Sequence, residues 1–240
     1  MINEVRNTVM AVLNKDNNGY VTPEEFNLFA RQAQLELFEE YFYDYSRSVV
    51  LRNNRRYNSG YSDIPKQTEE VIDTFTLEST ALSYAGGVFT LPSDWYTINA
   101  IRYNSLNVER VSQTKILNLI NSHLTTPTTT YPAYFQNGAS STATGNTITV
   151  YPNTGTDAIV AGVTALYVRY PLSPKWTYST VGGSPVFNQS AADYQDFELP
   201  ESDAPTLALK ILQLAGVNIR EPEVVQYAMN EESIEDQKEG

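Results

Sequence analysis

The 240-residue chain is long enough to bury a substantial core, as one large domain or two small ones. A hydrophobic share of 41% with 17 Tyr excludes a disordered composition, and no apolar run reaches the roughly 18 residues of a membrane-spanning helix. The absence of cysteine excludes disulfides and thiolate metal sites, and Met1 to Arg6 lacks the pattern of a secretory leader, so folding in a reducing cytoplasm is expected.

The net charge of −12 is unevenly placed. From Asp193 to Gly240, twelve acids oppose Lys210, Arg220 and Lys238, a balance of −9. Between residues 47 and 66, Arg47, Arg52, Arg55, Arg56 and Lys66 oppose only Asp63, a balance of +4. Such polarity suits electrostatic matching between neighbouring subunits; one solvated tail and one solvated basic loop would give the same numbers.

Along the chain, Ile2, Val5, Val9, Val12 and Leu13 recur at helical spacing and predict an amphipathic helix over 2–13. A second helix opens with Thr22 as N-cap, Pro23 at its first position and Glu25 closing a capping box. Phe26, Phe29, Ala30, Ala33, Leu37, Phe38 and Tyr41 form its apolar stripe, and it spans roughly 35 Å if it runs to residue 45. Leu28, Leu35, Phe42 and Tyr45 lie off that stripe, which implies neighbours on two faces.

Residues 47–66 are polar and basic and predict a long loop or arm. Strand patterns follow at Val71–Leu77, Gly87–Leu91, Trp95–Tyr103, Tyr134–Phe135, Thr147–Tyr151 and Val163–Tyr170, with one short helix over 111–119. Such a run of strands predicts an inserted antiparallel sandwich or barrel over 67–170. Residues 171–202 lack periodicity and predict an extended arm. Leu207, Ala208, Ile211, Leu212, Leu214 and Ala215 give a C-terminal helix ending at Gly216, and Pro222 opens a last short helix before a charged tail. The expected class is α+β: N- and C-terminal helices (1–46 and 203–230) in one layer, with the β-module and two arms between them.

Asn14 to Glu25 has the spacing of a calcium loop. Asn14, Asp16, Asn18, the Tyr20 carbonyl, Thr22 and Glu25 would supply oxygens, with Gly19 at the sharp turn. Only Asp16 and Glu25 are anionic, which weakens such a site, and there is no second loop of this pattern. Turn chemistry at Asn17-Asn18-Gly19 and the capping box account for nearly the same residues, leaving only the Asn14/Asp16/Asn18 alternation for calcium to explain. No other cofactor is expected.

The single histidine, His123, precedes a Thr-Pro loop and reads as a surface residue. Gly86-Gly87 and Gly182-Gly183 lack the helix start that cradles phosphate and read as turns. Asp193 and Asp196 read as solvated carboxylates in an arm. No catalytic motif is found, and the chain is not expected to be an enzyme. A carbohydrate-binding module would use Trp95 and Trp176, although core packing is the commoner use of such rings. An acidic chain is ill suited to bind DNA on its own, so the basic stretch is assigned to protein contacts.

Several segments, taken in order, resemble the head-to-tail connector (adaptor or ring) proteins of tailed bacteriophages, especially short-tailed and crAss-like ones. They are Asn14–Asp16 with Gly19–Asn27, Ala33–Glu39, Phe89–Trp95, Leu124–Pro127 with Tyr131–Tyr134, Val168–Pro171, Phe197–Ser202, Lys210–Leu212 and Ala215–Ile219. The resemblance implies a non-enzymatic virion structural protein that forms a closed ring of about twelve copies. It implies docking beneath the portal, contact with other neck or tail rings, and genomic DNA passing through the lumen without specific binding. It implies no membrane partner. Related tail-hub or tubular tail proteins share the layout. Arg47, Arg52, Arg55 and Arg56, with Phe26, Phe29, Phe38 and Tyr41, are the candidate subunit contacts.

Overall fold

The computed structural model describes residues 1–14, 21–53, 64–138 and 145–219. The chain is α+β and divides into two compact units, Met1–Val71 with Pro171–Gly240, and Ile72–Tyr170.

The first unit is helical at both ends of the sequence. Helix α1 (Ile2–Asn14) buries Ile2, Val5, Val9 and Leu13, the face that its spacing predicts. Helix α2 (Pro23–Asn53) buries Phe26, Ala30, Ala33, Leu37 and Phe38. It extends past the expected end at residue 46, because Ser48-Val49-Val50-Leu51 contains nothing that breaks a helix. The basic arm is therefore helical in its first part, and 54–63 lie outside the described residues.

Both helices pack against the C-terminal helix α5, whose bounds are Ala204–Ile219. Its buried face is Leu207, Ala208, Ile211, Leu212 and Ala215. Gly216 lies buried inside α5 and does not end it; Val217 and Ile219 extend the apolar run beyond the expected stop. The helix expected at Pro222 and the charged tail fall outside the described residues.

Residues 171–202 are not a free arm. Trp176, Phe197 and Leu199 are buried in the first unit, and Tyr178–Val181 and Ser184–Phe187 form a separate two-stranded ribbon. Periodicity missed this segment because its anchors lie toward its two ends, Trp176 at one and Phe197 with Leu199 at the other, with no regular apolar face.

The second unit follows helix α3 (Ile64–Thr74), which lies across the boundary between the units in sequence. A strand was expected at Val71–Leu77. Instead, Thr68, Val71, Ile72 and Phe75 continue a helical spacing, a Lys66–Glu70 pair spans one turn at 3.8 Å, and only β1 (Thr76–Glu78) is extended.

The remaining strands are β2 (Ser83–Ala85), β3 (Val88–Thr90), β4 (Trp95–Tyr103), β5 (Leu106–Arg110), β6 (Ala133–Asn137), β7 (Thr147–Tyr151) and β8 (Val163–Arg169). They form one eight-stranded sheet in the order β1-β8-β4-β5-β6-β7-β3-β2, curled into a half-barrel. Register shifts in β4 beside β8 bend it. One core cluster, including Phe89, Ile101, Val108, Tyr134, Ile148, Val163 and Tyr167, draws on β3 through β8.

The sheet is mixed, not antiparallel throughout. β5 and β6 are parallel, joined by helix α4 (Gln113–Asn121) in a crossover whose Ile116 packs with Val111 and Ala133. β5 was not expected, because its hairpin with β4 turns on Asn104 and Ser105 at φ 45° and 71° with no glycine to mark it.

Candidate functional site

The loop before α2 is described only at its ends. Asp16, Asn18 and Tyr20 lie outside the described residues, and Asn14 closes α1. Its second half is a complete capping box. The Thr22 N–H and hydroxyl donate to Glu25 Oε2 at 2.9 and 2.8 Å, and the Glu25 N–H donates to Thr22 Oγ1 at 3.3 Å. The Thr22 N–H and then its hydroxyl hold the Glu25 carboxyl below its usual range. Val21 and Phe26, buried before and after the cap, occupy the two positions of a hydrophobic staple.

One Glu25 oxygen is thus committed to the helix start. With Asp16 the only other anionic member of the donor set, calcium at about 1 µM is expected to leave the melting temperature unmoved. A rise at about 1 mM calcium that Asp16→Ala abolishes would instead assign an ion to the loop.

The interface candidates fall into three groups. Phe26 and Phe38 are 0% and 1% exposed, so their rings form the unit's own core and are unavailable to a neighbour. The stripe they belong to is the face α2 turns inward. Phe29 and Tyr41 are half-buried, and the Tyr41 hydroxyl donates to Asp203. Arg47 is exposed on α2, Arg52 lies in its last turn, and Arg55 and Arg56 are outside the described residues.

Opposite the buried face, α2 carries a second apolar stripe. Leu28, Leu35 and Phe42 repeat at heptad spacing, and Val50 continues the line. Leu28, Tyr43 and Val50 are 62%, 67% and 56% exposed, while Leu35 and Phe42 are half-buried. A helix apolar on opposite faces calls for a partner on each.

Polar residues that periodicity passed over tie the 171–202 segment to the helices. The buried Gln34 amide donates to the Leu172 carbonyl at 2.8 Å and accepts from the Glu198 N–H at 3.2 Å. Lys210, buried on α5, pairs with Glu40 at 3.4 Å. Asp193 is a surface partner of Lys175.

Asp196 is not a solvated carboxylate. It accepts the N–H groups of Ile2 and Phe197 at 2.8 Å each, the Met1 amino group at 3.2 Å and the Tyr194 hydroxyl at 3.1 Å. It thereby caps α1 from a distant part of the chain. Only the acidic type of the residue hinted at this, since its partners lie at the other end of the sequence.

Burial raises the Asp196 pKa, but the Ile2 and Phe197 N–H bonds and the amino group outweigh it, so the carboxyl sits below its usual value. A depressed carboxyl stabilises the fold above the unfolded-state value and loses that contribution as pH falls through the folded one. Asp196→Asn is therefore expected to lower stability at neutral pH and to flatten its fall below about pH 4, as read by urea titrations across pH. Parallel pH curves for the two proteins would refute this role.

Of the two tryptophans, Trp95 is half-buried against the sheet core and Trp176 is 1% exposed, so Trp176 does not offer a sugar platform. His123 is exposed. Among the described residues, no group of three His, Cys, Asp or Glu is placed to hold a metal, and no helix is long and apolar enough to cross a membrane. Comparison with known protein families and with curated proteins gives no match to the chain.

Proposed function

We propose that the chain is a virion structural protein: the subunit of a neck ring that joins the capsid portal to the tail and surrounds the DNA channel. The observation that carries this reading is the outward stripe Leu28–Leu35–Phe42–Val50, directly opposite the buried face of α2. Exposed apolar stripes of this length mark interaction sites. In a closed ring each subunit meets two neighbours through different surfaces, the arrangement a two-faced helix serves. The uneven charge supports the same reading, with basic residues near the end of α2 and acids concentrated toward the C-terminus. So does the ordered resemblance to connector proteins.

The ring is expected to hold about twelve copies, assembled in the host cytoplasm beneath the portal, with DNA sliding through an acidic lumen that repels its backbone. Electron microscopy of the purified chain with its portal protein should show closed rings. Leu28→Asp should abolish them at an unchanged melting temperature, because that side chain is 62% exposed and lies outside the core. A monomer that ignores the portal would overturn the reading, and a ring that binds tail components but never the portal would reassign it to a tail hub or tail tube.

A further inference from the structure

The ribbon in the first unit, β9 (Tyr178–Val181) and β10 (Ser184–Phe187), turns on Gly182 and Gly183 at φ 58° and 86°. After a two-residue turn of this kind the flanking residues exchange hydrogen bonds, and every second pair does so thereafter. Val181 with Ser184 and Ser179 with Val186 are therefore the bonded pairs, and the Asn188 N–H to Thr177 carbonyl bond at 2.9 Å continues the series. It follows that Trp176, Tyr178 and Thr180 turn their N–H and C=O groups to the outer edge.

At Trp176 that edge is filled. The Asn27 amide lies on it like a short strand, accepting from the Trp176 N–H at 2.8 Å and donating to its carbonyl at 3.2 Å. At Tyr178 and Thr180 the edge has no partner among the described residues. All four residues of β9 are exposed, and among the described residues β10 is its only paired strand. The other side of the ribbon is closed to pairing, because Pro185 stands at an outward position of β10 and has no N–H. The ribbon offers one edge.

We propose that this edge pairs antiparallel with β9 of a second copy, about a two-fold axis at Ser179. Three features choose a second copy as the occupant. The open positions flank Ser179 symmetrically, so Tyr178 meets Thr180 of the second copy and Thr180 meets its Tyr178, each pair exchanging both bonds. The residue on the axis is small, as the close approach of a non-bonded pair requires. Finally, no charged residue occurs from Trp176 to Ala192, so two chains of net charge −12 meet here without like charges facing each other. The opposing strand turns away at its own glycines on reaching the position that Asn27 occupies. This contact is isologous and separate from the head-to-tail contact of a ring, so it does not rest on the ring reading.

A contact of this size is short-lived, and trapping reads it better than elution. The chain has no cysteine, so single-cysteine variants report cleanly. Ser179→Cys would place two thiols across the axis on a non-hydrogen-bonded pair, with Cα atoms about 4.5 Å apart and within disulfide reach. Ser184→Cys, on β10, would hold them at least about 14 Å apart, three strand spacings. With diamide as oxidant, the full-length Ser179→Cys chain is expected to form covalent dimer at least about tenfold faster than Ser184→Cys. Adding Thr180→Pro, which removes the outward N–H but no bond to β10, should bring the rate down to that of Ser184→Cys.

Equal rates for the two single-cysteine variants would overturn the pairing, and that comparison stands whether or not the proline variant folds. An undiminished rate with Thr180→Pro would overturn it too. Rings that assemble on the portal while both thiols react alike would sink this contact and leave the ring intact.

Discussion

Trp176→Ala is expected to lower the unfolding free energy of the first unit by about 3–5 kcal/mol, the usual cost of deleting a large buried ring. The indole is 1% exposed and stacks on Tyr178 and Phe187, with centroids 5.7 and 5.9 Å away. The Arg6 guanidinium lies 3.8 Å from its centroid, and its Nε1–H donates to Asn3 Oδ1 at 3.1 Å. Both Asn3 and Arg6 belong to α1, so the ring fixes the returning chain to the first helix. Removing it leaves a cavity and takes the aromatic face from a nearly buried cation. Trp176→Phe would keep a ring and lose the Nε1 bond, and should cost about 1–2 kcal/mol beyond the change in size. Urea titrations followed by far-ultraviolet circular dichroism would measure both. A loss under about 1 kcal/mol for the alanine variant would show that the indole does not anchor the segment.

Gln34→Ala should cost about 2–4 kcal/mol, an unusual loss for a glutamine. The side chain is 1% exposed and satisfies one carbonyl and one N–H on two passes of the chain, Leu172 and Glu198. Deleting it strands both groups where they were paired, and the penalty is the desolvation of each. Gln34→Glu should do no better. It keeps the acceptor for Glu198 but loses the donor to Leu172 and places a charge in the core. If the alanine variant loses less than about 0.5 kcal/mol, water replaces the amide and the site is wetter than its burial implies.

These two residues mark where the sequence was easy to read and where it was not. Repeated local patterns announced themselves: the apolar faces of α1, α2 and α5, the Thr22–Glu25 capping box, and the strands β4, β7 and β8. What escaped depended on partners far along the chain. Gln34 looks like one polar residue on a helix until Leu172 and Glu198 arrive beside it. Asp196 looks like an arm carboxylate until the start of α1 meets it. The parallel pairing of β5 with β6 leaves no local trace, since a strand's period is the same whichever way its neighbour runs. The same limit produced the misplaced interface candidates. Phe26 and Phe38 are large members of the apolar stripe, but one helix cannot reveal which of its two apolar faces its own chain will cover.

The α+β class, the helices at both ends with strands between them, and the cap that starts α2 could all be read from the chain alone. These follow from periodicity and capping, which act over a few residues and need no partner. Which face of α2 is core, how Trp176 and Gln34 anchor residues 171–202, and which backbone edge of β9 is unpaired among the described residues are visible only in the folded chain. Each of those depends on groups brought together from distant positions, where burial and hydrogen-bond satisfaction are settled by the whole fold.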